Sequence, residues 1–150
     1  MTQEPATLPL RILLVDDSAD FLNSVGEFLS FEPWLEIVGR AKSGREAVAR
    51  SLELWPDLVL MDISMPEMTG LEATRLIRSY PAAPRIVVMT LSNDPLLAQA
   101  AGEAGADGFV RKTDLETRLL PLIRRLFNLP EEIESHCADR AKLPLTVPTY

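Results

Sequence analysis

Five polar or charged side chains, each at the end of an apolar run, define a candidate reaction site: Asp16, Asp17, Asp62, Thr90 and Lys112. The runs are RILLV (11–15), DLVLMD (57–62), RIVVMT (85–90) and GADGFVRK (105–112). Such runs are typical of buried parallel strands, whose carboxyl ends meet at one edge of a sheet. We therefore expect three carboxylates, a hydroxyl and an ammonium on one rim of the sheet.

The expected proximity of the carboxylates predicts a metal site. Two carboxylates about 4 Å apart repel by about 4 kcal/mol at an effective dielectric constant of about 20, and Lys112 offsets only part of this repulsion. Oxygen ligands from few protein groups favour Mg²⁺, which keeps several waters. We expect Asp17 and Asp62 to bind the ion directly and Asp16 to bind it directly or through water. The main-chain carbonyl of Ser64 could supply another oxygen.

Asp62 is the candidate nucleophile of this site. A bound cation would offset the charge of a phosphoryl group arriving at Asp62, while Lys112 and Thr90 hold the remaining phosphoryl oxygens. Attack by the carboxylate would give an aspartyl phosphate. Taken singly, these residues also have structural explanations, since Asp17 with Ser18 could cap a helix and Asp62 could form a turn. Their co-occurrence favours phosphoryl chemistry.

The composition is that of an acidic globular domain. The 150 residues are 47% hydrophobic and 25% charged, and the formal net charge is −7. This charge argues against direct binding of nucleic acid, which needs a basic face. The sequence has no apolar stretch near the ~20 residues of a membrane span, no secretion signal at its N-terminus, and a single cysteine, Cys137, which excludes an internal disulfide. We therefore expect a cytoplasmic location and no membrane partner.

The elements that would position the site alternate regularly along the chain. With LEIVGRA (35–41) as a second strand, five strands alternate with helical patterns near residues 21–29, 45–54, 71–80, 96–104 and 114–127. This alternation predicts an α/β fold, a single doubly wound (βα)5 domain with a five-stranded parallel sheet. We expect an N-terminal extension at 1–9, the domain at 10–128, and a tail or the start of a linker at 129–150. Pro121 should kink the last helix.

Four segments resemble the receiver domain of two-component response regulators: ILLVDDS, DLVLMDISMPEMTGLEA, IVVMT and GADGFVRK. The resemblance covers roughly residues 10–127. It implies a flavodoxin-like fold with strand order 2-1-3-4-5. It also implies that Asp62 takes a phosphoryl group from a histidine kinase or phosphotransfer protein, with Mg²⁺ at the pair Asp16 and Asp17.

The same resemblance implies a conformational switch. Thr90 and Lys112 would contact the phosphoryl group, and movement of Thr90 would let Phe109 turn inward. The face formed by the fourth helix, fifth strand and last helix would then change, which controls a downstream partner or a phosphorylation-dependent homodimer. Ser64 and Ser92 occupy positions that tune the lifetime of the phosphoryl group. Thr113 stands where proline is common, which leaves the isomer of the Lys112–Thr113 bond open, since a cis bond costs about 3–4 kcal/mol without proline.

The first hypothesis is a signalling switch and not an enzyme, one that catalyses only its own phosphorylation and slow dephosphorylation. The alternative is the receiver half of a helix-turn-helix DNA-binding transcriptional regulator, whose output domain is missing here. A third reading is a phosphatase with an aspartyl-phosphate intermediate, although such enzymes place the nucleophile in an Asp-x-Asp motif after the first strand. A receiver that no longer accepts phosphate and serves as a binding scaffold is the fourth.

Overall fold

The computed structural model describes residues 8–130, in which five strands and five helices alternate as predicted. The strands are β1 (Leu10–Val15), β2 (Leu35–Ala41), β3 (Leu58–Asp62), β4 (Arg85–Thr90) and β5 (Gly108–Arg111). The helices are α1 (Ala19–Ser30), α2 (Gly44–Leu54), α3 (Gly70–Arg78), α4 (Leu96–Ala104) and α5 (Leu115–Leu126). The predicted extension at 1–9 and tail at 129–150 lie almost wholly outside the described residues, as does Cys137.

All five strands are parallel and lie in the order β2-β1-β3-β4-β5, which confirms the doubly wound, flavodoxin-like α/β fold. The register aligns the strand ends, because Asp62 pairs with Met89 on β4. One boundary differs from the prediction. Lys112 is not the last residue of the fifth strand, because the pairing with β4 stops at Thr90 and Arg111. Lys112 instead opens a short 3₁₀ turn, Lys112–Asp114, that leads into α5.

The core consists of two apolar layers, one on each face of the sheet. The layer under α1 and α5 includes Leu14, Leu60 and Leu119, and the layer under α2, α3 and α4 includes Val59 and Ile77. Every residue of β3 is buried, as expected for a central parallel strand. Burial of each large aliphatic side chain stabilises the fold by about 1.5–3 kcal/mol, so the polar ends of the strands are held on a rigid support.

Side-chain caps begin α1, α2 and α3 and so shape the loops that lead from the strand ends into these helices. Ser18 Oγ accepts the Phe21 N–H at the start of α1, at 3.2 Å. Thr69 and Glu72 form a reciprocal capping box at the start of α3. The explanation of Ser18 as a helix cap is therefore correct, but the cap leaves both Asp16 and Asp17 available to the rim.

α5 continues through Pro121, and the kink there stays a prediction. The cis peptide bond within residues 8–130 is Leu8–Pro9, so Lys112–Thr113 is trans. No helix in this range is long and apolar enough to cross a membrane.

Candidate functional site

Lys112 joins the ends of β1 and β3 at the centre of the rim. Its Nζ donates to Asp16 Oδ2 at 2.5 Å and lies 3.2 Å from Asp62 Oδ1. The three side chains are largely buried, with exposed fractions of 1% for Asp16, 6% for Asp62 and 9% for Lys112. The other carboxylate oxygen of Asp16 accepts the Ser18 N–H at 2.9 Å. The predicted lysine and two of the predicted aspartates therefore form one buried ionic cluster.

Asp17 completes a group of three carboxylates. One oxygen each from Asp16, Asp17 and Asp62 lies within 4.8 Å of the others, and Asp17 is exposed while the other two are buried. In the part of the chain that the structure describes, Lys112 is the cation paired with this group. Three carboxylates against one ammonium leave excess negative charge, and their oxygens are the ligands that Mg²⁺ prefers. The donor set therefore fits a divalent cation that is reached from solvent beside Asp17.

Burial raises the pKa of Asp62 to about 6, because the carboxylate loses hydration in the rim. The Lys112 ammonium acts against this rise, while the charges of Asp16 and Asp17 add to it. Because the effects that raise the pKa outweigh the effect of Lys112, the ionised form of Asp62 is destabilised. A second cation beside it would stabilise that form. Such a group is also more basic than an ordinary aspartate, which suits a nucleophile.

Replacement of Asp62 by asparagine should stabilise the metal-free protein at neutral pH by about 3 kcal/mol. The folded pKa of about 6 lies above the ordinary value of 3.8, so the wild-type protein loses stability as the pH rises between these values. Asparagine does not ionise and avoids this loss. Urea denaturation in EDTA, at about pH 4 and about pH 7.5, measures the difference in unfolding free energy between variant and wild type. An equal difference in unfolding free energy at the two pH values would contradict the raised pKa of Asp62.

Thr90 lies at the end of β4 and is buried, with 2% exposure. Its Oγ1 accepts the Ser92 N–H at 3.0 Å, so the hydroxyl is tied to the loop before α4. Ser92 and Ser64 are both exposed beside the rim. The main-chain carbonyl of Ser64 as a metal ligand stays a prediction.

Phe109 is partly buried on β5, where its ring packs against the layer under α2, α3 and α4. It also lines a cavity of about 370 Å³ between β5 and α5, together with Pro121 and Arg118. The switching role of Phe109 stays a prediction.

Two residues of the site were missed by the sequence analysis. The ring centroid of Phe21, on the first turn of α1, lies 4.0 Å from Lys112 Nζ. A Cβ on Gly70, the first residue of α3, would come within 2.0 Å of the Asp62 carbonyl oxygen. The helical spacing of Phe21 indicates only that it faces the core, so the sequence carries no signal for its contact with Lys112. Gly70 offered only the general signal of a glycine at a loop–helix junction.

The family of response regulator receiver domains matches residues 12–124 of the chain. The chain belongs to this family. Among solved structures, the response regulator domain of CheB from Thermotoga maritima matches with a TM-score of 0.74 at 31% sequence identity. That match covers 81% of this chain and 98% of the CheB domain. The predicted family is thus confirmed by both sequence and structure.

The names of curated relatives of this receiver domain indicate different output functions. The protein-glutamate methylesterase/protein-glutamine glutaminase 2 of Carboxydothermus hydrogenoformans is 42% identical over 106 residues, or 70% of this chain and 30% of that protein. The transcriptional regulatory protein LiaR of Bacillus subtilis is 34% identical over 131 residues, or 87% of this chain and 62% of LiaR. The chain therefore spans less than two thirds of either relative.

Proposed function

We propose that this receiver domain is a phosphorylation-controlled switch whose acceptor is Asp62. The observation that carries the proposal is the ionic cluster, in which Lys112 Nζ touches both Asp16 and Asp62 beside a third carboxylate. A structural ion pair needs one carboxylate for each cation, whereas this cluster holds three. The surplus suits a site that takes up a metal ion and then a phosphoryl group.

The proposed donor is the phosphohistidine of a histidine kinase or phosphotransfer protein. An Asp62 carboxylate oxygen attacks phosphorus, and the new P–O bond forms as the P–N bond to the imidazole breaks. The imidazole nitrogen keeps the bonding electron pair and takes a proton from solvent. Mg²⁺ held by Asp16, Asp17 and Asp62, with the Ser64 carbonyl, would supply positive charge against the phosphoryl oxygens. Lys112 moves its contact from Asp62 to a phosphoryl oxygen and stabilises the transferred charge.

Thr90 and Phe109 convert the covalent change into a conformational one. The Thr90 hydroxyl exchanges its contact with the Ser92 N–H for a hydrogen bond that it donates to the phosphoryl group. This draws the β4–α4 loop inward and leaves room for Phe109, whose movement reshapes the surface formed by α4, β5 and α5. A partner, or a second copy of the domain, reads that surface. Gel filtration with and without a phosphoryl mimic tests the homodimer.

Intact mass spectrometry after incubation with acetyl phosphate tests the switch. The wild-type protein should gain one phosphoryl group only when Mg²⁺ is present, and the Asp62→Asn variant should gain none. Rapid sampling in acid is needed, because acyl phosphates hydrolyse and Ser64 and Ser92 are proposed to set their lifetime. A variant that took up phosphate at the wild-type rate would contradict the assignment of Asp62.

A second candidate concerns the output and not the site. LiaR is a transcriptional regulatory protein, and the match covers 62% of its length, which favours a receiver that controls a DNA-binding region. The methylesterase relative favours an enzymatic output instead. The coding region after Tyr150 distinguishes them, since a basic helix-turn-helix segment there would support the first and a larger hydrolase segment the second.

A further inference from the structure

The Phe21 ring lies against the ammonium of Lys112. The centroid-to-Nζ distance of 4.0 Å is well inside the range of about 6 Å in which an aromatic face attracts a cation. The lysine side chain is only 9% exposed, so little water competes for this contact. The ammonium is thus bounded by Asp16, by Asp62 and by one aromatic ring.

Phe21 lies on the segment that carries Asp16 and Asp17, and not on the turn that carries the lysine. The Phe21 N–H donates to Ser18 Oγ at 3.2 Å, and the Ser18 N–H donates to Asp16 Oδ1 at 2.9 Å. The ring itself packs against the core layer under α1 and α5. Lys112 has four rotatable side-chain bonds, so a rigid neighbour on another element limits where its ammonium can lie.

We propose that Phe21 is a positioning residue, whose ring face holds the Lys112 ammonium toward Asp62 during phosphoryl transfer. This inference rests on the proposed function. The carboxylates of Asp16 and Asp62 also attract the ammonium, but a metal ion and the phosphoryl group compete for both. Neither the metal ion nor the phosphoryl group competes for the ring face. The ring therefore keeps the lysine ammonium directed toward Asp62 as the phosphoryl oxygens arrive.

Fluorinated phenylalanines at position 21 test the contact, because fluorine withdraws charge from the ring face with little change in ring size. The rate of phosphorylation by acetyl phosphate, at saturating Mg²⁺, should fall stepwise with the number of fluorines. The full loss should be about 2- to 30-fold, the range of a cation–π contact. Phe21→Leu should lose a similar factor, and Phe21→Tyr should keep the wild-type rate.

Phe28→Leu is the matched control. Phe28 lies about 10 Å further along the same helix and packs against the same core layer. Its loss should change the phosphorylation rate by less than about twofold, since it is not in contact with the reaction site. In a Lys112→Met background, Phe21→Leu should have no further effect, because the residue acts through the lysine.

A metal-free measurement gives an independent readout. The chain has three lysines, Lys42, Lys112 and Lys142, so the side-chain NMR spectrum of lysine-labelled protein is simple. The Lys112 Hε protons should be shifted upfield by the Phe21 ring, and Phe21→Leu should remove that shift while Phe28→Leu keeps it. Fluorinated variants with the wild-type rate, or an equal loss in Phe28→Leu, would overturn the positioning role. A wild-type protein that takes up no phosphate would overturn the proposed function instead.

Discussion

Replacing Lys112 by methionine is expected to slow phosphorylation of Asp62 by acetyl phosphate by at least about 100-fold. The ammonium lies 3.2 Å from the proposed acceptor carboxylate and, among residues 8–130, is the cation paired with it. Its transfer to a phosphoryl oxygen stabilises charge in a site shielded from water, where such contacts are worth about 3–4 kcal/mol. Methionine keeps the length and packing of the side chain and removes only the charge.

The same variant should lose stability in the absence of metal, by about 3 kcal/mol, since Asp16 and Asp62 remain buried without their partner. Mg²⁺ should stabilise the methionine variant more than the wild-type protein, because the ion then replaces the missing positive charge. Urea denaturation with and without Mg²⁺ measures this difference. Lys42→Met, at an exposed position, is the control and should leave the phosphorylation rate unchanged. A rate within about twofold of wild type for Lys112→Met would contradict the role of the lysine.

Gly70→Ala should be the most destabilising single-methyl substitution in the rim. The added Cβ would lie 2.0 Å from the Asp62 carbonyl oxygen and 2.9 Å from the Ile63 Cα. Both contacts are with backbone atoms, so no side chain can move aside to relieve them. The Gly70 N–H also donates to the Ile63 carbonyl at 2.8 Å, which holds the two segments together. We expect a loss of about 3 kcal/mol in unfolding free energy.

The clash should also displace the acceptor, because Asp62 itself carries the crowded carbonyl. A shift of about 1 Å in a reacting group lowers the rate by about 100-fold, so phosphorylation should fall even in the folded fraction. Gly102→Ala is the matched control: nothing lies within 4 Å of its Cβ position, and alanine inside α4 should stabilise by about 0.5–1 kcal/mol. Equal urea midpoints for the two variants would contradict the expected clash between a Cβ at position 70 and the backbone of Asp62.

The order of elements and the place of the site could be predicted from the sequence because both follow from local patterns. Apolar runs that alternate with helical spacing imply a parallel sheet, and the carboxyl ends of parallel strands meet at one edge. Asp16, Asp62 and Lys112 could thus be expected on one rim without any knowledge of side-chain contacts. The helix caps at Ser18 and Thr69 likewise depend on residues within one turn.

The missed features depend on distances between segments far apart in the sequence. The spacing of Phe21 shows only that it faces the core, and its contact with Lys112 arises from the 3₁₀ turn that follows β5. The crowding at Gly70 depends on how the loop after β3 returns to the strand. The early end of β5 at Arg111 depends on the length of its neighbour β4. None of these three features can be predicted from the residues of a single segment.

Chemical identification of the modified residue tests the central claim most directly. The wild-type domain would be incubated with acetyl phosphate and Mg²⁺, reduced with sodium borohydride, digested and sequenced by tandem mass spectrometry. Borohydride converts an aspartyl phosphate to homoserine and leaves free carboxylates unchanged, so homoserine marks the acceptor. A sample without Mg²⁺ and the Asp62→Asn variant provide the controls.

We predict homoserine at position 62 of the wild-type protein only in the sample with Mg²⁺, and none in either control. Homoserine at position 16 or 17 would contradict the assignment of Asp62 as nucleophile, and its appearance without Mg²⁺ would contradict the metal site. No homoserine at any position, in protein sampled within seconds, would mean that the rim of this receiver domain does not accept phosphate.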